Sequence, residues 1–171
     1  MAIDTPARIV VLGAGPIGIE TSLYARYLGY DVRVLECQDV AFQVQQTGEE
    51  PLPCPFRKLR STLGLAALIA QDPQISLPAE DAKLTGRQWV AGYLLPLSRT
   101  DLLADHISTG TRARAVERLA GHNAEVDEEA EVPALQVQVE TSDGATSLIE
   151  CEIVIDVTGV SGSRTWLGPG K

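Results

Sequence analysis

Residues 9–36 read IVVLGAGPIGIETSLYARYLGYDVRVLE, and this stretch decides the fold. An apolar run at 9–12 enters Gly13-Ala14-Gly15-Pro16-Ile17-Gly18. A helix-like segment follows, then a second apolar run at 31–35 that ends in Glu36. Each glycine has its own task in such a turn. Gly13 permits a tight exit from the strand, Gly15 lets a pyrophosphate approach the backbone, and Gly18 lets the helix pack close to the sheet. The free N–H groups and positive dipole end of the helix then face the phosphates. Glu36 is placed to accept hydrogen bonds from a ribose diol, and its charge disfavours a 2′-phosphate. A lone GxGxxG carries little weight. With two strands, a helix and a terminal acid it predicts a β-α-β unit that holds a dinucleotide. On the helix, Ile17, Thr21, Tyr24, Ala25 and Leu28 recur at near-helical spacing and are expected to form the packing face. Gly29 is expected to end it.

The chain has 171 residues, enough for one domain with a real core. Its net charge of −9 argues against nucleic acid and against an anionic membrane surface. No apolar run approaches the length of a membrane-crossing helix, and the N-terminus lacks the basic-then-apolar pattern of a secretory leader. Cys37, Cys54 and Cys151 are widely spaced, with no CxxC. That fits a reducing cytoplasm and argues against a disulfide framework, a structural zinc or a redox-active cysteine pair.

Beyond residue 36 the pattern is uneven. Residues 37–97 form an irregular insertion that holds six of the ten prolines, too long for an ordinary connection. A helix broken near Gly64 is expected between Phe56 and Ala70. Ser98-Arg99-Thr100-Asp101 reads as a helix start, with Leu102, Leu103 and Ile107 on its apolar face. A strand is expected at 111–119 and an acidic turn at 125–131. Leu135, Val137 and Val139 alternate with polar residues, and Asp143-Gly144 turns the chain into a partner at 145–150. Residues 153–155 read as a buried strand leading to Thr158-Gly159.

Two blocks carry a resemblance to a known family. The first is residues 9–36. The second is Cys151-Glu152-Ile153-Val154-Ile155-Asp156-Val157-Thr158-Gly159, which looks like an acid, an apolar strand and an Ala-Thr-Gly motif with Val157 in place of alanine. Together they resemble the N-terminal part of two-dinucleotide-binding-domain flavoproteins, a group that includes flavin monooxygenases, N-hydroxylating monooxygenases and pyridine-nucleotide oxidoreductases. The segment at 85–107 is loosely similar to N-hydroxylating monooxygenases. The resemblance implies an α/β, Rossmann-like FAD/NAD(P)-binding domain with a parallel sheet and an added antiparallel hairpin or meander. It implies FAD as cofactor, with Gly13, Ala14, Gly15, Pro16, Ile17 and Gly18 around the pyrophosphate and Glu36 on the adenosine ribose. Backbone near Ala113 would meet the adenine edge, and Thr158 and Gly159 would pass close to the cofactor. NAD(P)H would reduce the flavin, and oxygen or a small-molecule substrate would reoxidise it. Family members usually exceed 300 residues, so residues 1–171 are expected to be the N-terminal portion of a longer flavoprotein, with a second domain or subunit completing the site.

Other readings stand beside this one. Glu20, two residues after the third glycine, resembles the nicotinamide-binding domain of disulfide-reductase-like enzymes and favours NAD at the same site. A non-catalytic dinucleotide-binding module is a third reading. Arg57, Lys58 and Arg60 are expected on a solvated helix face, and Trp89 and Tyr93 in packing. His106 and His122 lack metal-ligand spacing, so no metal site is expected. No residue is identified as a catalytic acid or base.

Overall fold

The computed structural model describes residues 7–119 and 135–159. The expectations for the acidic turn at 125–131 and for His122 lie outside those residues. Strand β1 (Arg8–Leu12) leads through the glycine turn into helix α1 (Pro16–Tyr27) and strand β2 (Asp31–Leu35). The connection out of α1 is a Schellman motif. Tyr30 N–H donates to the Ala25 carbonyl at 3.1 Å and Gly29 N–H to the Arg26 carbonyl at 2.9 Å, with Gly29 at φ +90.

The main sheet is parallel, in the order β3-β2-β1-β7, where β3 is Ile107–Ser108 and β7 is Ile153–Asp156. A second sheet is an antiparallel meander of β4 (Thr111–Arg118), β5 (Leu135–Thr141) and β6 (Thr146–Cys151). Its β5–β6 turn is built on Gly144 at φ +85, as the Asp143-Gly144 pair predicts. The α/β expectation of a parallel sheet with an added antiparallel meander is met.

Strand β1 is buried on both faces, which is why it reads as an unbroken apolar run. Ile9 and Val11 pack with Val32, Val34 and Ala25 of α1. Val10 and Leu12 pack with Leu35 and with Val137, Val139 and Cys151 of the meander. A third cluster joins Ile19 and Leu23 of α1 to the 37–98 segment through Phe56, Leu68, Tyr93, Leu94 and Leu97. The insertion is thus a helical layer rather than a structureless loop.

The structure corrects three expectations, two of them in that layer. The helix between 56 and 70 is not broken at Gly64. A 3-10 turn at Phe56–Lys58 precedes helix α3 (Thr62–Gln71), whose cap is Ser61, with Ser61 Oγ accepting from Gly64 N–H at 2.7 Å. Gly64 serves packing instead: a Cβ there would lie 2.1 Å from the Tyr93 hydroxyl. The helix expected to start at Ser98 is replaced by one that ends there. Helix α4 (Gly86–Trp89), a π-helical turn at Val90–Leu94 and helix α5 (Leu95–Ser98) follow one another, opened by a Thr85–Gln88 capping box. The wide turn falls immediately before Pro96, which has no N–H to offer a regular helix. His106 lies in a 3-10 turn, Ala104–His106, with its Nδ1 3.0 Å from the Val32 carbonyl. A short helix, α2 (Phe42–Gln45), completes the layer.

The third correction concerns α1. Its buried residues are Gly18, Ile19, Ser22, Leu23 and Ala25, whereas Ile17, Tyr24 and Leu28 are exposed. The phase is set by Gly18, whose Cα must face the glycine turn. Ile17, Thr21, Tyr24 and Leu28 then fall on the far side. Among the described residues no helix is long and apolar enough to cross a membrane.

Candidate functional site

The glycine turn sits at the carboxyl end of β1, the end of a parallel sheet where ligands characteristically bind. Gly13 adopts φ +103 and donates its N–H to the Leu35 carbonyl at 2.8 Å. A side chain there would be strained by the backbone and would meet the Val157 carbonyl at 3.2 Å. Gly18 is required by close approach: a Cβ would lie 1.9 Å from the Gly13 carbonyl oxygen and 3.2 Å from Val157 Cγ2.

Gly15 is different. Its φ of −73 and ψ of −178 are open to any residue, and a Cβ built on it meets nothing within 4 Å. The fold needs no glycine at this position, and the space beside it is open. Gly15 is also the cap of α1, with no side chain on the first N–H groups. Pro16 follows, and no acid lies in the first turn. The helix ladder opens with Ile19 N–H on the Gly15 carbonyl at 3.0 Å, so the N–H groups of Ile17 and Gly18 precede it. This is a cradle shaped for an anion that comes close to backbone.

Glu36 stands at the rim. Its Oε2 accepts from Ala14 N–H at 2.8 Å and its Oε1 from Gln38 N–H at 2.9 Å. The carboxylate therefore braces the turn and stays half exposed beside it. The adjacent Cys37 thiol is pushed up from its ordinary pKa, first by burial and then by the Glu36 charge.

Two distant segments close on this turn. The end of β7 forms its back wall, through Val157 against Gly13 and Gly18, and Val157 N–H donates to the Leu12 carbonyl at 3.0 Å. Thr158 turns its hydroxyl and its N–H onto Asp156 Oδ1, at 2.8 and 3.0 Å, and Gly159 follows at φ +70. The meander reaches the other side. Thr111 N–H donates to the Glu36 carbonyl at 2.8 Å, and Ala113 packs in the cluster that holds Leu35, just before a bulge in β4. Gly13 to Gly18, Glu36, Ala113, Thr158 and Gly159 thus lie around one end of the parallel sheet.

Glu20 points elsewhere. Its Oε1 accepts from the Tyr93 hydroxyl at 2.5 Å, and that hydroxyl accepts from Ser61 N–H at 3.1 Å. Burial and then Glu20 raise the Tyr93 pKa above its ordinary value. Tyr93 meets Phe56 edge to face, and Trp89 also packs in this layer. Arg57 pairs with Asp81 and Arg60 with Glu80, both at the surface. All three cysteines are unpaired, and the described residues contain no metal-binding cluster of His, Cys, Asp and Glu. The Tyr93–Glu20 contact had no sequence signal, whereas the Thr85–Gln88 capping box was there to be read.

Comparison with known proteins agrees with this geometry. Residues 2–50 match the family described as pyridine nucleotide-disulphide oxidoreductase. No curated protein sequence matches the chain. Among solved structures, a bacillithiol disulfide reductase from Bacillus cereus aligns with a TM-score of 0.66 and 15% identity, covering 90% of this chain and 40% of that one. An S-allyl-L-cysteine S-oxygenase from Allium sativum aligns at 0.60 and 12%, covering 90% and 36%. OTEMO in complex with FAD and NADP aligns at 0.58 and 19%, covering 96% and 28%. The chain therefore spans well under half the length of these proteins. In the sequence of residues 2–50 and in the fold of most of its length, the chain is similar to the N-terminal part of two-dinucleotide-binding-domain flavoproteins.

Proposed function

We propose that residues 1–171 are the N-terminal, FAD-binding portion of an FAD-dependent oxidoreductase of the monooxygenase-like kind. The single observation that carries the reading is Gly15. It is a glycine for which neither dihedral angle nor packing gives a reason, beside open space at the start of α1. A pyrophosphate against Gly13, Ala14, Gly15, Pro16, Ile17 and Gly18 supplies the reason. Glu36 takes the adenosine ribose, backbone near Ala113 borders the adenine, and Thr158 and Gly159 lie along the cofactor. A flavin held there supplies the redox chemistry, with NAD(P)H as electron donor and oxygen or a small-molecule substrate as acceptor. The described residues bind and orient, and a second domain or subunit brings the substrate. Unpaired cysteines suit a cytoplasmic setting.

A second reading, an NAD-binding dehydrogenase domain using the same cradle, is favoured by the family match over residues 2–50. An absorption spectrum after incubation with excess FAD and desalting separates the two. Retained flavin bands, released on denaturation, are the expected result. A colourless protein that binds NADH in a calorimetric titration overturns the FAD reading and leaves the second.

A further inference from the structure

We infer that the outward face of α3 is a self-association surface, on which a second copy of this chain docks its own α3 antiparallel about a two-fold axis. The inference is carried by the uncharged course of α3 and by the charges at its two ends, so it stands apart from the cofactor reading.

Helix α3 reads TLGLAALIAQ and carries no charged residue. Its inner side joins the helical layer through Leu63, Gly64, Ala67 and Leu68. At about 100° per residue, Thr62, Leu65, Ala66 and Ile69 fall on the opposite side. Ile69 is 46% exposed, Thr62 and Ala66 are exposed, and Leu65 is half-buried. A surface helix ordinarily turns charged and polar residues outward, and a helix that is apolar all round is covered all round.

The charges at the ends of α3 identify the partner. Arg57, Lys58 and Arg60 stand before its N-terminus. Arg57 is paired with Asp81 and Arg60 with Glu80, whereas Lys58 is exposed and makes no ion pair among the described residues. At the other end Asp72 is the C-cap, and Asp101 is tied beside it, its N–H donating to Gln71 Oε1 at 3.0 Å. Both acids are exposed and without an ion pair among the described residues. The helix dipole favours the reverse order, acids at the N-terminus and bases at the C-terminus. A partner for this face is therefore an apolar helix with acids at the end that meets Lys58 and a base at the end that meets Asp72. The same helix turned end for end has both.

The apolar register and the charged register agree. With the two-fold axis between Leu65 and Ala66, Leu65 of each copy meets Ala66 of the other, and Ile69 meets Thr62. Lys58 of each copy then falls opposite Asp72 and Pro73 of the other. Such an interface is isologous and closes at two copies. Thr62 and Ala66 are small enough for the helix axes to approach to about 8–10 Å. The helix is only about 15 Å long. The contact therefore falls below the roughly 1,200 Å² of a stable complex, and the dimer is weak, with Kd on the order of tens of micromolar.

The test is sedimentation velocity of the full chain over about a hundredfold range of concentration around that Kd. The expected result is a monomer–dimer equilibrium. Ile69→Glu should leave a monomer at every concentration, with far-ultraviolet circular dichroism and Tm unchanged because the side chain is exposed. Lys58→Glu and Asp72→Lys should each weaken the dimer about fivefold or more, since either reversal sets like charges together twice across the axis. The double variant, Lys58→Glu with Asp72→Lys, should return Kd to within about twofold of wild type, because the pairs re-form with their signs exchanged. Any of three results overturns the inference: a wild-type chain that is monomeric throughout, a dimer that survives Ile69→Glu, or a double variant no tighter than the singles. The first would leave the face to a different partner, and the second would place the interface elsewhere. FAD retention is scored separately on the Ile69→Glu monomer. A wild-type dimer without flavin keeps this inference and loses the FAD reading.

Discussion

Gly15→Ala and Gly18→Ala add the same methyl group three residues apart, and the structure assigns them opposite consequences. At Gly18 the new Cβ starts 1.9 Å from the Gly13 carbonyl oxygen, and ordinary contact begins near 3.4 Å. Helix and turn must separate by about 1.5 Å, and the partner is backbone, which cannot rotate away. Overpacking of this kind costs about 1–3 kcal/mol, and the better helix propensity of alanine returns up to about 1. A net loss of about 1–2 kcal/mol lowers Tm by roughly 2–8 °C for a chain of this size. At Gly15 the methyl meets nothing. Alanine is a poorer cap than glycine by about 0.5–1 kcal/mol, and the reduced freedom of the unfolded chain returns about 0.4–1. These nearly cancel, so Tm should move by no more than about 2 °C. Dinucleotide affinity should nonetheless fall more than tenfold, because the methyl takes up the open space that the proposed function gives to the pyrophosphate. Thermal unfolding by circular dichroism and FAD titration by flavin fluorescence measure the two effects. Gly15→Ala protein that binds FAD as tightly as wild type would refute the cradle. A Gly18→Ala protein with unchanged Tm would refute the packing.

Three further outcomes follow from the same contacts. Cys37, its pKa raised by burial and by Glu36, should be alkylated at pH 8 more slowly than a free thiol. Glu36→Gln should speed the reaction and bound FAD should slow it; mass-spectrometric labelling rates insensitive to both would break the link between Cys37 and the site. Arg8 holds the Glu152 carboxyl below its ordinary pKa through a hydrogen-bonded pair that ties the starts of β1 and β7. Its stabilisation is present above the unfolded carboxylate pKa and lost as pH falls through the lower folded value. The pair is half exposed, so it contributes about 0.5 kcal/mol or less. Glu152→Gln should flatten the acid limb of stability against pH between about 5 and 3, and an unchanged limb in urea titrations speaks against it. Tyr93→Phe removes the bond to Glu20 and leaves Ser61 N–H without its acceptor. A loss of about 2 kcal/mol is expected, visible as a Tm lower by about 4–8 °C; no change in Tm would mean that the insertion is held by apolar contacts alone.

What was legible in the sequence divides along physical lines. The β-α-β unit was legible because β1 is buried on both faces and because Gly13 and Gly18 answer to local constraints. The meander was legible because Val137 and Val139 alternate against a solvated face and Gly144 needs its positive φ. The phase of α1 was not. Ile17, Tyr24 and Leu28 make a better apolar stripe than the buried set, which includes Gly18, Ser22 and Ala25, and a stripe alone does not say which partner it meets. The 37–98 layer was obscured by its prolines. Pro96 lies in a helical stretch that a π-helical turn makes possible, and Ser98 looked like the cap of a following helix. The hydroxyls of Ser98 and Thr100 bond instead to the carbonyls of Leu95 and Leu97, behind them in the chain. In the candidate site, the convergence of Val157 and Thr158 on Gly13 is a tertiary contact with no local trace, and only the second motif pointed to it.

The pairing of β1 with β7, Ile9 opposite Ile153, joins residues 144 positions apart. Contacts of such sequence separation form late, because the loop they close must first be constrained. The cradle depends on that pairing, since Val157 is the wall behind Gly13 and Gly18. A chain released from a ribosome before β7 has emerged carries the whole glycine motif and no finished pocket. On the proposed reading, cofactor capture then waits on that late pairing, and a dinucleotide in the cradle would stabilise only chains in which β1 and β7 have already met.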